Sequence, residues 1–435
     1  MRFTPARRAL CRLAAAPIAA GLVLTAACSP SSGGQPAPGV SREPCPHPVH
    51  EDKGCIYLGV LSDLESGPFS VLGKSLQDGQ LAFWDEVNRS GGIGGYEIDI
   101  TTYSRDTGYD PRRHATEYAS IAPHVLALAM SLGTAQTLAV LHDMDTANLI
   151  TAAGTLWSGW QYRDVDLNLV LDGGYSYCTE AIMGLDWFAQ NKFPPRTISV
   201  IAYRGNYGGD YASGALKWAI DNGATITARI DTGPNVEVGS QDGPIGEILS
   251  NPPDLVLLAT GAAETAEIVG KLAKSGFAGR FLGSTPTWNG ALLNTPAATA
   301  LTALYNYTSP VDGWDGDSPG VQHARAAAPH EPANFGYNLG WATSYPLKAL
   351  LTKAASSGAL TRAGLRKTLD GLAVDAEGMV ATQTYGRAEP DLTAQRAVIS
   401  VPDPTAPMGS RTLSPDFRGP TMQRLQMHSP CTHTV

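Results

Sequence analysis

Two short turns, Gly133-Thr134-Ala135-Gln136 and Ala153-Gly154-Thr155, carry the residues of this chain best suited to gripping a small anion. Each follows a strand-sized apolar run and leads toward a helical pattern. A helix N-terminus offers unpaired backbone N–H groups and a partial positive charge, and the Thr134 and Thr155 hydroxyls add two donors, which suits a carboxylate. A threonine at a helix start is also an ordinary cap, and the two roles coexist. Glu264 stands at a third such junction, where the dipole alone favours an acid. Catalytic patterns are thin by comparison. The chain has no S-x-x-K, H-E-x-x-H or complete Walker A motif. Gly92-Ile93-Gly94-Gly95 follows a helical pattern, the wrong context for a dinucleotide fingerprint. The nine histidines are scattered, with His47, His50, His428 and His433 near the ends of the chain. The expectation is a binding protein: no enzyme, no metal and no cofactor.

The elements that must position these turns alternate in a regular way. Ile56–Leu61 reads as a strand, and Leu76, Gly79, Gln80, Phe83, Trp84 and Val87 recur at helical spacing until Ser90-Gly91-Gly92 stops them. Strands are expected at 96–102, 125–130, 147–151, 168–171, 197–203, 225–230, 254–259 and 280–283. Helices fall between them, among them 135–143, 181–191, 210–222, 245–249 and 263–275. Asp110-Pro111 opens one helix with a cap and a first-turn proline. Strands separated by helices imply α/β architecture with parallel sheets, in two successive series of domain size. A long helix over 334–355 and a shorter one begun by Thr361 follow. After Val401 the Pro-rich chain is expected to wrap irregularly along the surface.

The N-terminus speaks of export. Arg2, Arg7, Arg8 and Arg12 precede a short apolar run that ends Leu24-Thr25-Ala26-Ala27-Cys28. This is a secretory signal with an apolar core too short to span a bilayer, and its ending resembles a bacterial lipobox, which makes Cys28 the lipidated first residue. The alternative is ordinary cleavage nearby with Cys28 a bystander. The Ser/Gly/Pro-rich stretch from Ser29 to Pro44 reads as a tether. The chain is formally −9, and its first 27 residues hold four arginines and no acid, so the exported part is more acidic still. An acidic body without a basic cluster argues against nucleic acid as a partner. Four cysteines remain beyond Cys28. In an oxidising compartment an even set reads as disulfides; spacing favours Cys45–Cys55 and Cys178–Cys431, one of three possible pairings.

Several motifs in order carry a resemblance. Ile56-Tyr57-Leu58-Gly59-Val60-Leu61, then Ser66-Gly67-Pro68-Phe69, then the run from Gln80 to Gly95, resembles the opening of type 1 periplasmic binding proteins, the leucine/isoleucine/valine-binding group. Asp106 and Asp110-Pro111 look like that family's D-x-x-x-D-P, and Asn206-Tyr207-Gly208 like its x-Y-G. Gly261 to Glu264, Ala273 to Phe277 and Phe281-Leu282-Gly283 are similar to its later motifs. The similarity runs from about Ile56 to Val401. It implies two Rossmann-like lobes joined by a three-crossover hinge and closing on a small molecule. It further implies delivery to an ABC permease.

On this alignment the ligand-binding residues are Gly133, Thr134, Gly154 and Thr155, with Tyr207 closing from the second lobe and Glu264 receiving a ligand amino group. Leu72 stands where aliphatic-amino-acid binders often carry an aromatic ring, as Ala262-Ala263 do, so the side-chain pocket is expected to differ; Trp157, Trp160 and Trp288 are candidates to refill it. The expected organisation is a lipoprotein signal peptide over 1–27, a tether over 28–55, a first lobe of 56–172 and 290–378, and a second lobe of 173–289 and 379–435 with a C-terminal tail. The reading is a monomeric, lipid-anchored solute-binding protein on the outer face of the membrane. Its ligand would be a branched-chain or other amino acid, or a related amide. The alternatives are a ligand-sensing receptor domain without a transport role, and a protein whose cleft has become an interaction surface. Sensors of this fold usually continue into a transmembrane helix, and none is expected before Val435.

Overall fold

In the computed structural model, which describes residues 37–332 and 334–432, two sheets take up the strands. The expected signal peptide and Cys28 lie outside the described residues. A two-residue strand, β1 (Val40–Ser41), lies antiparallel along the start of β2 (Gly54–Ser62). Parallel strands β3 (Tyr96–Asp106), β4 (Ala127–Ser131), β5 (Thr151–Ala153) and β6 (Val170–Leu171) complete the first sheet, with β2 between β3 and β4. The second sheet repeats this order: β7 (Thr197–Tyr203) lies between β8 (Thr225–Thr232) and β9 (Leu255–Ala259), and β10 (Arg280–Gly283) and β11 (Tyr305–Ser309) follow in parallel. β4 and β9 are buried at every residue, as unbroken apolar strands covered on both faces must be. A small ribbon, β12 (Ala373–Val374) with β13 (Gln383–Thr384), precedes β14 (Ala397–Pro402) and β15 (Ser410–Phe417), which extend the second sheet antiparallel. The chain crosses between lobes three times, over 172–176, 310–318 and 385–396.

The principal helices are α1 (Ser70–Arg89), α2 (Tyr177–Asn191), α3 (Asn206–Asn222), α4 (Ala262–Lys274) and α5 (Gly336–Ser356). The expected stripe on α1, Leu76 to Val87, is its buried face. Ser176 caps α2 through a reciprocal capping box with Thr179, and Asp110 accepts the N–H groups of Arg112 and Arg113 to start the helix Pro111–Ile121. Helices α1 and α5 touch backbone to backbone. A Cβ on Gly79 would stand 2.1 Å from the Tyr337 carbonyl oxygen, and one on Gly340 1.9 Å from that of Leu76. Among the described residues no helix is long and apolar enough to cross a membrane.

Four expectations change. Residues 37–55 do not serve as tether: Val40 and Ser41 pair with β2, and a disulfide joins Cys45 to Cys55 at the strand's start. The chain does not return to the first lobe at residue 290. β11 completes the second sheet because the free edge of β10 needs a partner, and Leu292, Ala297 and Leu301 pack in that lobe's core. The tail beyond Val401 is partly ordered as β15, whose backbone pairs with β14. The helix expected over 135–143 is two short helices, Thr134–Leu138 and Leu141–Ala147. A second disulfide joins Cys178 to Cys431.

The Gly79–Gly340 contact is testable. Gly340→Ala gains about 1 kcal/mol of helix propensity, but forcing α1 and α5 apart costs about 1–3 kcal/mol. A net fall in urea midpoint is expected, and an unchanged or raised midpoint would show that the helices are free to part.

Candidate functional site

In a parallel sheet every strand-end turn falls on the same edge, and ligands sit where the strand order reverses. In the first lobe that point lies between the ends of β2 and β4; in the second, between β7 and β9. The loop after β2 is pinned by Asp106 at the end of β3. Its carboxylate accepts the N–H groups of Leu64, Glu65 and Ser66 at 2.8, 3.0 and 3.2 Å and pairs with Arg113 at 2.9 Å. Burial would raise the Asp106 pKa, but these donors and the Ser66 hydroxyl hold it at about 2. At the loop's far end Phe69 reaches its neighbours across the cleft. Its ring meets Tyr109 edge-on at 4.9 Å and lies 6.0 and 6.3 Å from Tyr203 and Tyr207 of the second lobe.

The two anion turns meet. Gly133, at φ 97°, lets the chain turn sharply out of β4, and the Gln136 side chain folds over it to donate to the Tyr109 carbonyl at 2.6 Å. The Gly154 N–H donates to the Ser131 carbonyl. Thr134 donates to the Thr155 hydroxyl oxygen at 3.1 Å, and the Trp160 indole donates to the same oxygen at 2.9 Å. With both acceptor positions of that oxygen used, the Thr155 proton is left free to donate to another acceptor. Tyr109 itself sits at φ 59°, a conformation that costs a bulky residue about 1–3 kcal/mol and concentrates at functional sites.

The second lobe presents Tyr207 from the start of α3 and Glu264 from the start of α4. The Tyr207 hydroxyl donates to the Thr260 carbonyl at 3.1 Å and shares a 2.5 Å hydrogen bond with Ser284; its ring packs on Tyr177 at 4.6 Å. Glu264 is 5% exposed, and both its oxygens are engaged: Oε2 accepts from the Tyr203 hydroxyl at 2.7 Å and Oε1 from the Asn235 N–H at 2.8 Å. Burial, and then the adjacent Glu264 charge, push the Tyr203 pKa up, so its proton stays in the bond. Asp63, beneath Phe69, is pushed up to about 7 by burial, although the Phe69 and Tyr109 N–H groups partly offset this.

Gly133, Thr134, Gly154 and Thr155 thus converge on one side, and Tyr207 and Glu264 on the other. Leu72 sits on the first turn of α1, with Gly336 of α5 close to its methyl group. Trp160 joins the site through Thr155, and Trp157 stacks edge-on against it at 5.0 Å; Trp288 instead stacks on Tyr307 within the second core. The aromatic bridge of Phe69, Tyr109, Tyr203 and Tyr207 was legible only in part. Ser66-Gly67-Pro68-Phe69 marked the loop without marking the ring as functional, and Tyr203 read as the last residue of an apolar strand.

The family model for periplasmic binding proteins matches residues 56–401. No curated protein matched the chain. Among solved structures, a fatty acid ABC transporter substrate-binding protein from Thermomonospora curvata is similar at TM-score 0.80 and 23% identity, over 91% of this chain and 98% of the other. A branched chain amino acid ABC transporter protein from Thermus thermophilus with bound valine is similar at TM-score 0.71 and 14% identity, over 86% and 98%. A solute binding protein from R. palustris in complex with benzoate is similar at 0.69 and 15%, over 84% and 98%. Likeness at these identities concerns the fold.

The Tyr203–Glu264 bond predicts a stability change. Tyr203→Phe leaves a buried carboxylate oxygen short of its donor and is expected to cost about 1–3 kcal/mol in denaturant unfolding. An unchanged midpoint would mean that water or another donor replaces the tyrosine.

Proposed function

The chain belongs to the periplasmic binding protein family, and from that premise we propose that it captures a small carboxylate-bearing molecule between its lobes and hands it to an ABC importer. The ligand is an amino acid, branched-chain or other, or a related small carboxylic acid. One observation carries the reading: the Thr155 hydroxyl, its oxygen saturated by Thr134 and Trp160, keeps a proton free for an anionic acceptor beside the β4 turn that borders the point where strand order reverses. The ligands of these structural neighbours fit this chemistry, since a fatty acid, valine and benzoate share a carboxylate and differ in everything else. Lipid attachment at Cys28 would hold the protein outside the cell membrane, beside its permease.

A thermal-shift screen of amino acids, amides, urea, aromatic acids and fatty acids tests the ligand class. A ligand at about a hundred times its Kd adds about 2.7 kcal/mol of stability. Stabilisation by carboxylates is expected; hits confined to neutral amides would overturn the assignment.

Calorimetry with the best hit then divides the roles. Thr155→Val is expected to cost about 1.5–3 kcal/mol, a tenfold or greater loss of affinity, because it removes a donor to a charged acceptor. If the ligand carries a buried ammonium, Glu264→Ala costs roughly 2–5 kcal/mol. Parent-like binding by Glu264→Ala would mean that this acid serves Tyr203 and Asn235 instead of an amine.

The anchor has its own test. Mature protein is expected to partition with membranes, and Cys28→Ser to release it to the soluble fraction. Intact mass showing an unlipidated N-terminus beyond residue 28 would refute the attachment.

A further inference from the structure

The last described residues touch both lobes. Beyond β15 the chain runs to Cys431, bonded to Cys178 in the first turn of α2, so the tail is covalently fixed to the second lobe. The Thr432 hydroxyl shares a 3.2 Å hydrogen bond with Ser213 of α3 in the same lobe, and two further contacts reach the loop between β5 and β6 of the first lobe. The Cys431 N–H donates to the Ser158 hydroxyl at 2.9 Å, and the Trp157 indole donates to the Thr432 carbonyl at 3.0 Å. Beneath both lies Asp210 of α3, fully buried. Its Oδ2 accepts the N–H groups of Ser158 at 3.0 Å and Cys178 at 3.2 Å, and its Oδ1 accepts the Ser158 hydroxyl at 2.5 Å. The Thr432 N–H adds a further donor to the same carboxyl group. One side chain therefore joins the first-lobe loop, the second lobe and the tail.

This loop also holds the ligand residue. Thr155 lies three positions before Ser158, and Trp160, two positions after it, donates to the Thr155 oxygen. The Leu156 carbonyl accepts the Tyr177 N–H at 2.7 Å, next to the disulfide.

We propose that Asp210 is a positioning residue for ligand capture, and that the tail fixed by Cys178–Cys431 is a strap holding the Thr155 loop in place from the second lobe. The ligand role of Thr155 is the reading this inference rests on; the strap itself is tested without a ligand.

Hydrogen exchange of the full chain separates the cases. In Cys178→Ala/Cys431→Ala, which keeps Cys45–Cys55, amides of residues 156–162 are expected to exchange at least about tenfold faster, while β7 and β9 keep their protection. Should that variant fail to fold, Trp157→Phe retains the disulfide and removes the indole donor to Thr432 together with part of a buried ring; a smaller rise confined to the same segment is expected. Asp210→Ala should loosen 156–162, and Asp210→Asn, which retains an acceptor oxygen, should restore part of the protection. No change at 156–162, or a uniform rise across both sheets, would overturn the strap. If 156–162 loosens as expected but Thr155→Val leaves binding of valine or benzoate, whichever the parent binds, unaltered, the strap stands and the cleft assignment falls.

Discussion

Parallel strands cannot be joined by tight turns; each must be followed by a crossover that returns the chain to the same end of the sheet. From this constraint the rest of the molecule follows. In the first lobe it gathers the turns after Ser62, Ser131 and Ala153 on one edge, and in the second those after Tyr203, Ala259 and Gly283. The parallel strands of both sheets share one order, so each opens a crevice between its first and third parallel strands, β2 and β4 in one and β7 and β9 in the other. Three crossovers then turn the two edges toward each other. The polar residues of the candidate site are distant in sequence, yet each sits immediately after a strand because that is where such a fold leaves free backbone donors.

Burying these edges against each other removes polar groups from water, and the structure compensates with dense hydrogen bonding. Glu180 shows the pattern within the second lobe: one oxygen accepts from the Thr285 N–H and from the Thr285 and Thr308 hydroxyls, and burial still pushes its pKa up to about 7. Asp210 is raised to about 7 for the same reason, despite its donors. Neither acid has a basic side chain among its hydrogen-bond partners; hydroxyl and amide donors carry the whole load. Such networks fix geometry tightly, because each donor lost leaves a desolvated oxygen unpaired.

How much of this could be read from residues alone divides along the same line. Periodicity located most of the core strands and the buried stripe of α1, since apolar spacing is a local property. It missed β11, whose Tyr305-Asn306-Tyr307-Thr308-Ser309 is polar at most positions and becomes a strand only because β10 offers an edge. It missed β15, a partly exposed strand made by pairing with β14. In the site, Thr134 and Glu264 were legible because helix starts have a chemical signature; Thr155 opens no helix, and the chain after it passes only into the short 3-10 segment Ser158–Gln161. Phe69 and Tyr203 were not: a ring that bridges two lobes has the same sequence character as a ring that fills a core.

That difference bears on how one scaffold serves unlike ligands. The groups suited to a carboxylate belong to the strand ends, where the fold itself supplies N–H donors and hydroxyl positions. The groups facing a ligand's body are side chains added to that frame, free to change without disturbing it. Here the space between the frames is spanned by Phe69 and its three tyrosine neighbours, whose edge-on and tilted contacts hold the lobes together through apolar area. On the proposed reading, a guest entering that space would replace those ring contacts with its own body while presenting an anion to Thr155. Shape selection would then rest with the rings and charge selection with the strand ends, and the first could vary while the second stays fixed.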